Sequence, residues 1–103
     1  MELRMDMARS VNGVPIRLTH ERWYHIVENH DEMASHFHDV LETVEGPEFV
    51  IRGNGGTLKA ARSRGKRIWL VVVYREVSRN DGFVITAYFL NAKPKGKAEW
   101  PPQ

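Results

Sequence analysis

The chain has 103 residues, 15 Lys and Arg against 13 Asp and Glu for a formal net charge of +2, and no cysteine. Its length fits one domain with its own core, and the absence of thiols excludes disulfide frameworks, thiolate catalysis and cysteine-ligated zinc. No apolar run approaches the roughly 20 residues of a membrane helix, and the charged opening MELRMDMARS is unlike a signal peptide, so a soluble cytoplasmic protein is expected.

Residues 1–12 carry no clear period, and Asn12-Gly13 marks a turn. VPIRL follows and reads as a short edge strand, because Pro15 has no N–H to give a central ladder. Thr19 suits an N-cap and Glu21 the first turn of a helix over 20–29. On it Trp23, Ile26, Val27 and His30 share one stripe, and Arg22, His25 and Asn29 share another. A second helix over 32–45 is predicted from Met33, Phe37, Val40, Leu41 and Val44, with Gly46-Pro47 as its stop. Strands then follow at 48–52, 57–62, 67–75 and 83–90, separated by GNGG, by SRGK and by the Asp81-Gly82 turn signal. NAKPKGKAEWPPQ, residues 91–103, reads as a flexible basic tail outside a core of about 13–90.

This order predicts a single α+β domain, with two N-terminal helices packed on one face of a four-stranded antiparallel meander and a short N-terminal edge strand beside it. IWLVVV is apolar enough to be the central strand. In FVITAYFL, alternation sends Phe83, Ile85, Ala87 and Phe89 toward the helices and Val84, Thr86, Tyr88 and Leu90 to the open face. Trp23 and Trp69 are assigned to the core.

Charge is unevenly spread. Residues 52–67, RGNGGTLKAARSRGKR, hold basic residues and no acidic one, and KPKGK adds three lysines. Such a stretch suits a surface that meets phosphate, and it equally suits solvated turns that keep strands apart. His36 and His38 are two apart on a helix and project in different directions, the carboxylates lack ligand spacing, and GNGG lies between strands rather than ahead of a helix. No metal and no cofactor are expected.

LTHERWYHIVENH with its following helix, VLETVEGPEFVIR leading into the sheet, WLVVVYR and the closing FVITAYF resemble, in this order, the small phage- and toxin-associated proteins grouped with the barnase, EndoU, colicin and RelE-like nucleases. The resemblance spans residues 16–90. It implies two helices on a curved four-stranded antiparallel sheet and metal-independent RNA cleavage, with ribosome-associated RNA or tRNA as partner and an antitoxin or immunity protein as a second one. The matching positions are Arg22, His25, His30, Arg52, Thr86 and Tyr88. The chain departs from the family in having Asp31 where a proline is usual, and in its basic second hairpin.

Metal-free RNA cleavage needs a base for the 2′-hydroxyl, an acid for the leaving 5′-oxygen, and fixed positive charge near the phosphorus. On the catalytic reading His25 transfers protons beside Arg22, one helical turn away, and His30 is the second acid or base. Arg52 and Thr86 complete that set, while Tyr88, Arg62, Lys59 and Arg75 bind substrate. Each position has a plainer reading: His25 on a solvated helix face, His30 as a core or helix-end residue, Tyr88 as packing, and Lys59 and Arg75 as guards of exposed strands. Arg52 and Arg62 end neighbouring strands of a hairpin, so they need not meet one phosphate. The rival is a non-catalytic RNA- or protein-binding module of the same fold that uses Arg62, Arg64 and Lys66; a third reading is an interaction domain without a nucleic-acid partner.

Overall fold

The computed structural model describes residues 5–102. Two strands, β1 (Met5–Arg9) and β2 (Pro15–Thr19), come first and form an antiparallel hairpin in which Ala8 pairs with Ile16. Its turn follows from Asn12-Gly13: Gly13 takes a φ of +81°, its N–H donates to the Ser10 carbonyl, and the Ser10 hydroxyl accepts from Val14 N–H. Glu76 then receives the Ser10 hydroxyl and the Asn12 amide, tying the turn to the sheet. Helix α1 (His20–Asn29) starts at Thr19, whose Oγ1 accepts from Arg22 N–H at 3.0 Å. A 3₁₀ turn (Asp31–Met33) leads to α2 (Phe37–Glu45), and β3 (Phe49–Arg52), β4 (Leu58–Ser63), β5 (Trp69–Ser78), β6 (Asp81–Leu90) and β7 (Ala98–Trp100) complete the order.

The strands form one seven-stranded sheet in the order β1-β2-β6-β5-β4-β3-β7. Neighbours are antiparallel except β2 and β6, which run parallel with Ile16 opposite Gly82 and Arg17 opposite Phe83. This overturns the expected four-stranded antiparallel sheet under two N-terminal helices: the sheet is mixed, and two strands precede the helices. The cause is long-range. The excursion through both helices and three strands brings β6 beside β2 in the same direction, as a parallel pair requires. The two ends of the described chain then add β1 and β7 at opposite edges. Pro15 is tolerated in an interior strand because it is the first residue of β2. The segment read as a tail contributes β7, whose Trp100 packs against the core.

β5 is central, as its unbroken apolar run requires. Leu70, Val72 and Tyr74 on β5 join Val50, Leu58, Ala60, Val84 and Ala87 from its neighbours, Ile16 and Leu18 from β2, and Ile26, Met33, Val40 and Val44 from the helical layer in one core. The expected 32–45 helix is broken because Met33 reaches this core from the 3₁₀ turn, and α2 begins only after His36, whose φ of −114° is not helical. No helix among the described residues is long and apolar enough to cross a membrane.

Tyr74 is fully buried, and its hydroxyl has no hydrogen-bond partner among the described residues. Burial, then the Glu76 and Glu99 carboxylates, raise its pKa well above the ordinary phenol value of 10.0. Tyr74→Phe is therefore expected to stabilise the protein by about 1 kcal/mol, since an orphaned buried hydroxyl carries a desolvation cost. Above pH about 10 only the unfolded chain loses the phenolic proton, so the native protein loses stability as pH rises through that range. The Phe variant is expected to lose this alkaline dependence, and urea melts at pH 8 and pH 11 check both statements.

Candidate nucleic-acid interface

The helices cover one face of the sheet, and alternation sends every second strand residue to the other. The register lays these residues out in rows. Arg17, Phe83 and Arg75 are cross-strand neighbours, and Thr86, Val73, Lys59 and Ile51 form the next row. Tyr88, Val71, Ala61 and Phe49 follow, and then Leu90 and Trp69. Small or β-branched residues are buried along the middle, while Phe83, Tyr88, Phe49 and Trp69 stand half-buried around them. Phe49 and Trp69 pack ring against ring at 5.4 Å, and Lys93 lies over Phe49. Trp69, expected in the core, belongs to this second face.

A bulge decides which β6 residues arrive here. Val73 pairs with Thr86 but Tyr74 pairs with Val84, so Ile85 is an extra residue that reverses the alternation. Thr86, Tyr88 and Leu90 lie on the open face and Ala87 and Phe89 toward the helices, as expected. Phe83 and Val84 are exchanged: Val84 is in the core, and Phe83 lies under the Arg17 guanidinium at 5.7 Å.

The cations on this face are not equivalent. Arg17 donates through Nε and Nη2 to Asp81 at 2.8 and 3.0 Å. That hydrogen bond raises the arginine pKa and holds the Asp81 carboxyl below its usual range, so the pair is mutually satisfied. Arg75 instead donates to the Gly55 carbonyl at 2.7 Å, and Lys59 lies along Gly53. Neither has a carboxylate partner among the described residues. Their charge is available to an anion.

The sequence-derived residues divide accordingly. Lys59, Arg75, Thr86 and Tyr88 share the second face, and the His30 ring meets the Tyr88 ring at 5.8 Å. This contact exists because β2 pairs with β6 only at Gly82 and Phe83; farther along, β6 has α1 and the 3₁₀ turn as neighbours. His30 caps α1, with Nδ1 3.9 Å from Glu32. His25 does not join them: its side chain is 57% exposed, with Nδ1 3.5 Å from Glu28 one turn on. Arg22 is exposed on the same helix. Arg52 pairs with Glu99 at 2.8 Å on β3, three strands from β6, a separation of about 14 Å at the usual strand spacing. Arg62 lies on the helix side, its guanidinium beside Gly46 at the end of α2, where a cation complements the helix dipole. The expected convergence of Arg22, His25 and Arg52 with Thr86 does not form.

Two features have no signal in the sequence strong enough to find them. The Arg17–Phe83 pair depends on the parallel β2–β6 register and on the bulge, neither of which has a local signature. His36 and Asp39 are marked only by their i, i+3 spacing, which allows a contact on any helix. No group of three or more His, Asp or Glu side chains among the described residues is placed to hold a metal ion. Comparison with family models, with curated proteins and with solved structures gives no match, so the fold and this face stand on their own geometry.

Proposed function

We propose that this domain binds single-stranded RNA across the second face of its sheet, as a metal-independent ribonuclease whose substrate lies along β6 and β5. The observation that supports this reading is that half-buried rings and unneutralised cations share one face: Phe83 pairs with Arg75, and Lys59 lies in the row of Thr86 with Val73 between them, one row from Tyr88. Rings give sequence-tolerant stacking for unpaired bases, and the cations follow the phosphates. A duplex hides its base faces and has no use for such rings. His30 is the member of the expected acid–base set that meets this face, through its contact with Tyr88.

Binding is tested with a labelled single-stranded RNA and its duplex, at two salt concentrations and in chelator. The single strand is expected to bind more tightly. Tyr88→Ala is expected to weaken it by about tenfold or more, because one stacked base contributes roughly 1–3 kcal/mol. Equal affinity for duplex and single strand, or a Tyr88→Ala variant that folds and binds as wild type does, counts against the reading.

A further inference from the structure

Beyond Tyr88, the C-terminal end of β6 borders a cleft of about 420 Å³ lined by Glu32, His36, Arg64, Ile68, Phe89 and Asn91. These residues come from four separate parts of the chain: the 3₁₀ turn, the start of α2, the β4–β5 connection and the end of β6. His36 Nδ1 lies 2.7 Å from Asp39 Oδ2, and Arg64 Nη1 lies 3.3 Å from Asp39 Oδ1. A helix can bring an i, i+3 pair together by itself. It does not bring an arginine from a distant hairpin onto the same carboxylate.

The chemistry follows from the donor count. An ionised carboxylate only accepts, so the neutral His36 ring carries its hydrogen on Nδ1 and keeps the lone pair on Nε2. Phe89 meets the ring edge-on at 5.0 Å and fixes its plane. The His36 and Asp39 side chains are 27% and 23% exposed, and of the two His36 lines the cleft. Ile68 and Phe89 give the cleft an apolar wall, while Arg64 supplies a guanidinium beside the imidazole. Tyr88 and Phe89 are consecutive and point to opposite sides of the sheet, and His30, whose ring meets Tyr88, has Nδ1 3.9 Å from Glu32 of the cleft.

We infer that His36, oriented by Asp39, is a catalytic residue that cleaves the RNA held on the second face, with Arg64 beside it on the phosphate. The inference rests on the RNA-binding reading. His36 Nε2 takes the proton of a 2′-hydroxyl. The 2′-oxygen then forms a bond to the adjacent phosphorus, the bond from phosphorus to the 5′-oxygen breaks, and the ring returns the proton to that 5′-oxygen. The products are a 2′,3′-cyclic phosphate and a 5′-hydroxyl end, with no water, metal or redox partner consumed. Asp39 is a positioning residue: it acts through the imidazole and touches no reacting atom. Glu32 on the 3₁₀ turn and Arg64 on the hairpin are the other charged groups of the cleft.

The test uses the full chain, a 5′-labelled single-stranded RNA and the same oligomer with every 2′-hydroxyl replaced by hydrogen, all in chelator. Wild type is expected to bind both oligomers and to cut only the RNA, leaving cyclic phosphate ends. His36→Gln is expected to lower kcat by about a hundredfold or more, the usual contribution of a positioned acid–base group, with RNA affinity and melting temperature retained. Asp39→Asn is expected to lower kcat while KM stays unchanged, and it supplies the same test if His36→Gln fails to fold. RNA bound but left intact, cleavage of the deoxy oligomer, or folded variants that cut at the wild-type rate would each overturn the inference while the binding face stands. A wild-type chain that binds no RNA overturns both.

Discussion

Gly82→Val is expected to destabilise this protein severely, because a side chain there has no room on either side. A Cβ at Gly82 would lie 2.5 Å from Ile16 Cδ1 and 2.6 Å from the Arg75 carbonyl oxygen. The carbonyl belongs to the backbone of the central strand and cannot rotate away, and Ile16 is fully buried in the core. Relief requires β2 to separate from β6 at one of the two residue pairs that join them. Overpacking of this kind costs about 3 kcal/mol or more at the upper end of its usual range. For a domain of this size that corresponds to a fall in melting temperature of roughly 15 °C. Thermal melting followed by circular dichroism measures it, and a shift below about 3 °C would show that β2 does not seat against Gly82 in this register.

The second large effect is electrostatic. The double substitution of Lys59 and Arg75 by alanine removes two cations of the second face that have no carboxylate partner among the described residues. It is expected to weaken single-stranded RNA binding about tenfold at moderate salt, and to reduce the slope of log affinity against log salt by about 1.4, near 0.7 for each phosphate that is no longer neutralised. The slope separates this role from a structural one. Arg75 also donates to the Gly55 carbonyl, so its removal loosens the β3–β4 loop, but a looser loop weakens binding without changing the number of counterions released. The same change at Arg22 and His25 is expected to leave both affinity and slope unaltered, because those side chains lie on the exposed helix face away from the sheet's second face.

The Arg22 and His25 positions show why part of the site is not legible in the sequence. Helical spacing correctly places the two side chains one turn apart, and the other stripe of α1 is the packed one, with Ile26 in the core and Trp23 against it. Spacing gives the relation between residues on one helix. It does not give the direction in which the polar stripe faces, which depends on how the helix lies against the sheet. For Thr86 and Tyr88 the period-two pattern is a better guide, because strand alternation is a relation to the sheet itself. It fails at Phe83 and Val84, where one bulged residue resets the alternation.

Gly82 and Asp39 make the same distinction in energetic terms. Asp81-Gly82 reads as a turn, yet β6 begins at Asp81, and the glycine is required because the Ile16 side chain approaches it across the β2–β6 contact. Asp39 carries no distinguishing mark in the sequence, and only the β4–β5 connection makes it the shared partner of His36 and Arg64.

By itself the sequence determined the local elements: α1 with its Thr19 cap, the apolar run that became the central strand, the turn at Asn12-Gly13, and the basic character of residues 52–67. Capping, periodicity and turn preference act over a few residues, so a single chain of letters carries them. Tertiary structure alone decided the seven-stranded mixed sheet, the strands contributed by residues 5–9 and 98–100, the face on which the cations and rings meet, and the cleft that joins His36, Asp39 and Arg64. Each of these depends on pairings between segments distant in sequence, where burial of the whole core selects one register among many that the local pattern permits.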